Sequence, residues 1–139
     1  APNSLLIAIT GQGKTLGNSA ITRIETCINQ HLAYAQFRAE KVTPDFVLWF
    51  MQTRYDYLRA IAHGGGSTKA ALTCGFLKTL PIPVPSRVEQ EEIAATFQTL
   101  EDKQAIAARK QSTLQDLFRT LLHELMTAKT RVHELNLTI

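Results

Sequence analysis

The stretch AITGQGKTLGNS, residues 8–19, carries the residue types of a phosphate-binding turn: closely spaced glycines and the run Gly13-Lys14-Thr15 behind the apolar segment SLLIAI. A P-loop needs a glycine five residues before its Gly-Lys pair and a helix directly after it. Position 8 is Ala8, the nearest earlier glycine is Gly11, and Gly17-Asn18 interrupts any helix. A turn between two strands fits better, because Gly and Asn tolerate the positive φ such turns require. Other chemistry is sparse. His31, His63, His123 and His133 show no metal-ligand spacing with Cys27 or Cys74, and nothing local supports a Cys-His nucleophilic pair. His31, behind an apolar run, reads as a hydrogen-bonded strand residue. Glu89, Glu91 and Glu92 read as the solvated start of a helix, not as an acid–base pair. With no methyltransferase glycine motif and no nuclease carboxylate cluster, the chain reads as non-catalytic, with no metal or cofactor of its own.

The elements that carry these residues fall into two regimes with different periods. Residues 1–86 read as a small mixed segment: SLLIAI and NSAITRI as strands, then NQHLAYAQFRA with partial alternation. A helix follows, with Thr43 at the N-cap, Pro44 at the first helical position and Asp45 in the first turn. Val47, Phe50, Met51, Arg54, Leu58 and Ile61 would share its packing face, with Trp49 and Tyr57 towards another side. HGGGS, residues 63–67, ends it. In TLPIPVPS, Pro81, Pro83 and Pro85 enforce a stiff, extended connector. Ser86 and Glu89 then form a capping box, and no Pro or Gly follows to residue 139. A helix from Arg87 to Lys129 would be about 65 Å long. The fold class is therefore α+β: a head over 1–86 and a long coiled-coil helix in 87–135.

The period of that helix indicates its use. Ile93, Phe97, Leu100, Gln104, Ala107, Gln111, Leu114, Phe118, Leu121, Leu125, Ala128, Val132 and Leu135 step alternately by four and three, which is a heptad seam. Such a stripe needs a partner helix. Gln104 and Gln111 at a positions, with Ala107 between them, weaken its middle, whereas Leu117 and Leu122 widen its distal part beyond a two-helix contact.

Composition sets the remaining bounds. The chain has 139 residues, 45% of them hydrophobic, with no run near the roughly 20 apolar residues of a membrane span and no basic n-region of a signal peptide. A cytoplasmic location is expected, with Cys27 and Cys74 as two buried, reduced thiols. The net charge of +3 is uneven: residues 1–86 hold eight basic against four acidic residues, and residues 87–139 seven against eight. The basic excess lies on the head and suits a polyanion.

GGGSTKAALTCGFLKTLPIPVPSRVEQEEIA, residues 64–94, resembles the end of a target recognition domain and the start of the spacer helix in specificity subunits of type I restriction–modification enzymes. Gly65, Gly66, Leu72, Leu77, Leu80, Ile82, Pro83, Pro85, Glu89, Gln90 and Ile93 stand in the positions of that family's pattern. ITGQGKTLGN and CINQHLAYAQF are similar to its strand–glycine turn–strand run and its Asn-Gln-His element. The length allows one recognition domain and one spacer, a half-subunit or an N-terminally shortened fragment, including a fragment of a fused restriction–methylation polypeptide.

The resemblance implies a non-catalytic reader of double-stranded DNA. Its helix would hold modification methyltransferase subunits, which use S-adenosylmethionine, and motor–nuclease subunits would join through the complex. A lone half can restore twofold symmetry by pairing its helix with a second copy. The implied DNA-binding residues are Gln12, Lys14, Thr15 and Asn18 in the first glycine loop and Gly65, Gly66, Ser67, Thr68 and Lys69 in the second. Lys14 would neutralise a phosphate, and Gln12 and Asn18 carry amides suited to adenine. The other reading of these loops is a solvent-exposed hairpin turn and a helix C-cap. The implied partner interface is Ile93, Phe97, Leu100, Gln104, Ala107, Gln111, Leu114, Phe118, Leu121 and Leu125. The rival reading is a coiled-coil adaptor with a small α/β head and no DNA contact.

Overall fold

The computed structural model describes all residues except 12, 39, 65–69 and 135–139. Three short strands, β1 (Leu5–Ala8), β2 (Ser19–Ile21) and β3 (Leu32–Ala35), form an antiparallel sheet in the order β2-β1-β3. Leu5 pairs with Ile21 on one side and Ala35 on the other, and Leu6 with Ala20 and Tyr34. The two-residue side-chain period puts Leu5 and Ile7 on one face, where both are buried. Among the described residues four α-helices follow, α1 (Pro44–Thr53), α2 (Tyr55–Gly64), α3 (Cys74–Thr79) and α4 (Arg87–Met126), and then a short 3-10 turn, Val132–Glu134. Leu5, Ile7, Leu16, Phe46, Val47, Met51, Leu58, Ala62 and Leu72 make one core between the sheet and the helices. Strands and helices are thus segregated as an α+β fold expects. Among the described residues no helix is long and apolar enough to cross a membrane.

The start of α1 follows the sequence closely. Thr43 caps it, its Oγ1 accepting the Phe46 N–H, and Pro44 opens the first turn. Asp45 in that turn pairs with Arg23 just beyond β2. The single helix expected through Ile61 is, however, two. Thr53 turns its hydroxyl back onto the Phe50 carbonyl at 2.7 Å, and the Arg54 N–H bonds the carbonyls of Met51 and Gln52. Such back-bonding bends helices, and α2 restarts at once, the Leu58 N–H bonding Arg54 O at 2.8 Å. The break moves Ala62 into the core and leaves Ile61 exposed. A further departure is α3, capped by Thr73, whose Oγ1 accepts the Phe76 N–H at 3.1 Å.

Cys27 and Cys74 are free but exposed, not buried. Cys27 lies in the irregular stretch between β2 and β3, and Cys74 in the first turn of α3.

By compactness the chain divides into Ala1–Phe97 and Gln98–Ile139. In the first unit, the opening turns of α4 belong to the head. Ser86 Oγ accepts the Glu89 N–H, and Arg87 pairs with Glu91 at 2.6 Å. Ile93 packs on the core, and the Trp49 and Phe97 rings lie 5.3 Å apart. Gln90 is wholly buried: its Oε1 accepts the Thr43 N–H at 2.8 Å, and its Nε2 donates to Lys41 O and Pro85 O, both at 2.9 Å. In the second unit α4 ends in a Schellman motif, Lys129 N–H on Glu124 O and Ala128 N–H on Leu125 O, with Ala128 at φ 54°. Ala128 and Val132 therefore lie beyond the helix, and Leu135 falls outside the described residues.

Gln90→Leu keeps the volume but strands one amide and two carbonyls away from water. It should cost about 2–4 kcal/mol, read as a lowered midpoint in urea unfolding; an unchanged midpoint would mean that water replaces the carboxamide.

Candidate nucleic-acid interface

The Gly13-Lys14-Thr15 run sits in the connection between two antiparallel strands, β1 and β2, and no helix follows it. The connection is anchored at its ends: Gly17 N–H bonds Ala8 O at 2.9 Å, Asn18 N–H bonds Thr15 O at 3.0 Å, and Leu16 is buried in the core. Gly17 takes φ +87°, and a Cβ there would meet the Tyr55 ring and backbone and the Arg59 side chain at 3.5 Å. Lys14 and Thr15 are exposed.

One face of α2 grips this loop. Tyr55 Oη donates to Lys14 O at 2.7 Å, and Arg59 Nη1 donates to Gly13 O and, at 3.4 Å, to Leu16 O. The guanidinium lies 5.4 Å from the centre of the Tyr55 ring. Asn18 Nδ2 donates to Lys14 O at 3.0 Å, so part of its amide is committed to shaping the loop.

The same end of the sheet gathers more polar groups. Thr10 Oγ1 shares a 2.6 Å hydrogen bond with His31 Nδ1, just ahead of β3. Thr10 also bridges to Ala71, and the Leu72 N–H bonds Ile9 O. The segment after the second glycine loop thus returns beside the first. His31 is hydrogen-bonded as expected, but it is exposed and lies in the turn one residue ahead of β3, not in a strand. Gln12 and the second-loop residues Gly65, Gly66, Ser67, Thr68 and Lys69 lie outside the described residues. Of the expected loop residues, the structure therefore brings together Lys14, Thr15 and Asn18.

Tyr55, Arg59, Thr10 and His31 are the residues that sequence reasoning did not place here. The available signal was the four-residue spacing of Tyr55 and Arg59, which puts both on one helix face.

On α4 the seam divides. Ile93 and Phe97 are engaged by the head, whereas Leu100, Gln104, Ala107, Gln111, Leu114 and Phe118 are exposed, Phe118 at 66%. Leu117 and Leu122 beside them are exposed as well, and Leu121 and Leu125 are half-buried. Among the described residues no group of three His, Cys, Asp or Glu could hold a metal ion.

A basic-headed loop module leading into an exposed heptad helix matches one family along most of its length: the type I restriction modification DNA specificity domain, over residues 2–116. This chain belongs to that family. It is similar to a protein of Methanocaldococcus jannaschii described as the MjaX specificity subunit of a type I restriction enzyme, with 28% identity over 120 residues. The match covers 84% of this chain and 27% of that relative's length. The match to the specificity domain runs through both glycine loops, the proline connector and α4 as far as Gln115 and Asp116.

Gly17→Ala would force a side chain into the left-handed region beside Tyr55. It should destabilise the head by about 1–2 kcal/mol, measured by urea unfolding, and no change would mean that the loop rearranges freely.

Proposed function

We propose that this chain is a non-catalytic DNA-reading part of a type I restriction–modification system. The head binds a half-site of duplex DNA through the loop at residues 9–18. The exposed seam of α4 packs against a second copy of the helix and holds modification methyltransferase subunits. Those subunits bring S-adenosylmethionine, and motor–nuclease subunits join through the assembled complex in the cytoplasm. The observation that carries the reading is an exposed lysine on a loop whose backbone is pinned to the head on both sides. Pinning limits the entropy lost on binding, while Lys14 supplies a cation for a phosphate. The basic excess of the head supports the same partner. The exposed Leu114, Leu117 and Phe118 support a helical partner for α4, since so wide an apolar stripe is not stable in water.

The test is a salt titration of binding to a randomised fluorescent duplex by anisotropy. Phosphate contacts release counterions, so log K should fall linearly with log salt, and Lys14→Ala should lower the slope by about 0.9. A wild-type chain with no salt-dependent affinity would instead favour a coiled-coil adaptor that does not touch DNA.

A further inference from the structure

Arg59 is the cation nearest the reading loop after Lys14, yet its charge is turned into the protein. Its Nη1 is occupied by Gly13 O, Leu16 O and Tyr55 Oη, and its Cζ lies over the Tyr55 ring, 5.4 Å from the centroid. Tyr55 and Asn18 together fill both acceptor positions of Lys14 O. The carbonyls of Gly13, Lys14 and Leu16 are therefore all taken by side chains. Exposed carbonyl oxygens repel a phosphate, and donors placed on them remove that repulsion. A turn whose carbonyls are already occupied by donors repels an anion less, and the lysine that would neutralise that anion is in the same turn.

We propose that Tyr55 and Arg59 are positioning residues for DNA binding: they hold the carbonyls of the 13–16 turn so that the exposed Lys14 ammonium takes a backbone phosphate. This rests on the DNA-reading function proposed above. Arg59 acts here through geometry, not through its charge on DNA. All three contacts are made by Nη1 at the far end of the guanidinium, which a lysine, keeping the charge on a side chain one bond shorter, does not reach.

The experiment compares Tyr55→Phe, Arg59→Lys and Arg59→Ala, each alone and with Lys14→Ala. Affinity for the randomised duplex is read at fixed salt, and circular dichroism verifies that every variant is folded. Hydrogen exchange at the Gly17 and Asn18 amides, whose acceptors are Ala8 O and Thr15 O, reads loop order without DNA. Tyr55→Phe, which changes no charge, should weaken binding about three- to tenfold, the worth of one hydrogen bond, and speed exchange at both amides. Arg59→Lys should lose as much as Arg59→Ala. In the Lys14→Ala background these losses should shrink, since coupled residues are non-additive.

Wild-type affinity in Tyr55→Phe, full additivity with Lys14→Ala, or an Arg59→Lys protein that binds normally would each overturn the positioning role. A wild-type chain that fails to bind DNA would overturn both this role and the reading beneath it, whatever the exchange shows. DNA binding that is indifferent to Tyr55 and Arg59 would overturn the positioning role alone.

Discussion

A primary carboxamide can donate to two carbonyls and accept from an amide at once, and Gln90 does so with no exposure to solvent. Its three partners belong to different parts of the head: the Lys41 carbonyl and Thr43 amide just before α1, and the Pro85 carbonyl at the end of the proline connector. The same contact that finishes the N-terminus of α1 thus fixes where α4 begins. Neither glutamate nor leucine could serve, since one would set a carboxylate against two carbonyls and the other would leave three polar groups dry. Once that start is set, Ile93 reaches the core and Phe97 reaches Trp49.

The head solves a second problem with the same economy. A connection of about ten residues between two short strands has little secondary structure to hold it, so side chains do the work. Leu16 is anchored in the core, Gly17 approaches Tyr55 closely, and α2 supplies donors to the carbonyls that point its way. The break after Thr53 is what starts α2 at Tyr55 and puts Tyr55 and Arg59 on the turn-by-turn face that meets the loop. An apparent irregularity in a helix is in this sense part of the candidate site.

Much of this was legible in the sequence because local chemistry dictated it. Thr43-Pro44-Asp45 and Ser86-x-x-Glu89 mark helix starts by capping, and three alternating prolines leave only an extended connector. The absence of glycine at position 8 favours an antiparallel turn over a P-loop, and β2 follows where a P-loop would need a helix. The failures are those of periodicity. Val47, Met51 and Leu58 share one 3.6-residue stripe, so nothing in the pattern announced the one-residue break between α1 and α2. Ile93 and Phe97 continue the heptad seam in spacing, but the same apolar types serve a head core and a partner interface alike. The gripping role of Tyr55 and Arg59 depends on a contact some forty residues away, which no local rule contains. The charge of the head was visible; the direction in which Arg59 spends that charge was not.

The chain as proposed separates two tasks, DNA on the loop and protein on the helix. The most direct measurement is to express the tagged chain in its source cell beside its Phe118→Glu and Lys14→Ala variants, and to quantify co-purifying proteins by mass spectrometry. An adenine methyltransferase subunit should be recovered with the wild type and with Lys14→Ala, and lost with Phe118→Glu, which puts a charge on the exposed seam. Recovery of the wild-type chain without a methyltransferase, or equal recovery with Phe118→Glu, would contradict the assignment of α4 as the helix that holds it.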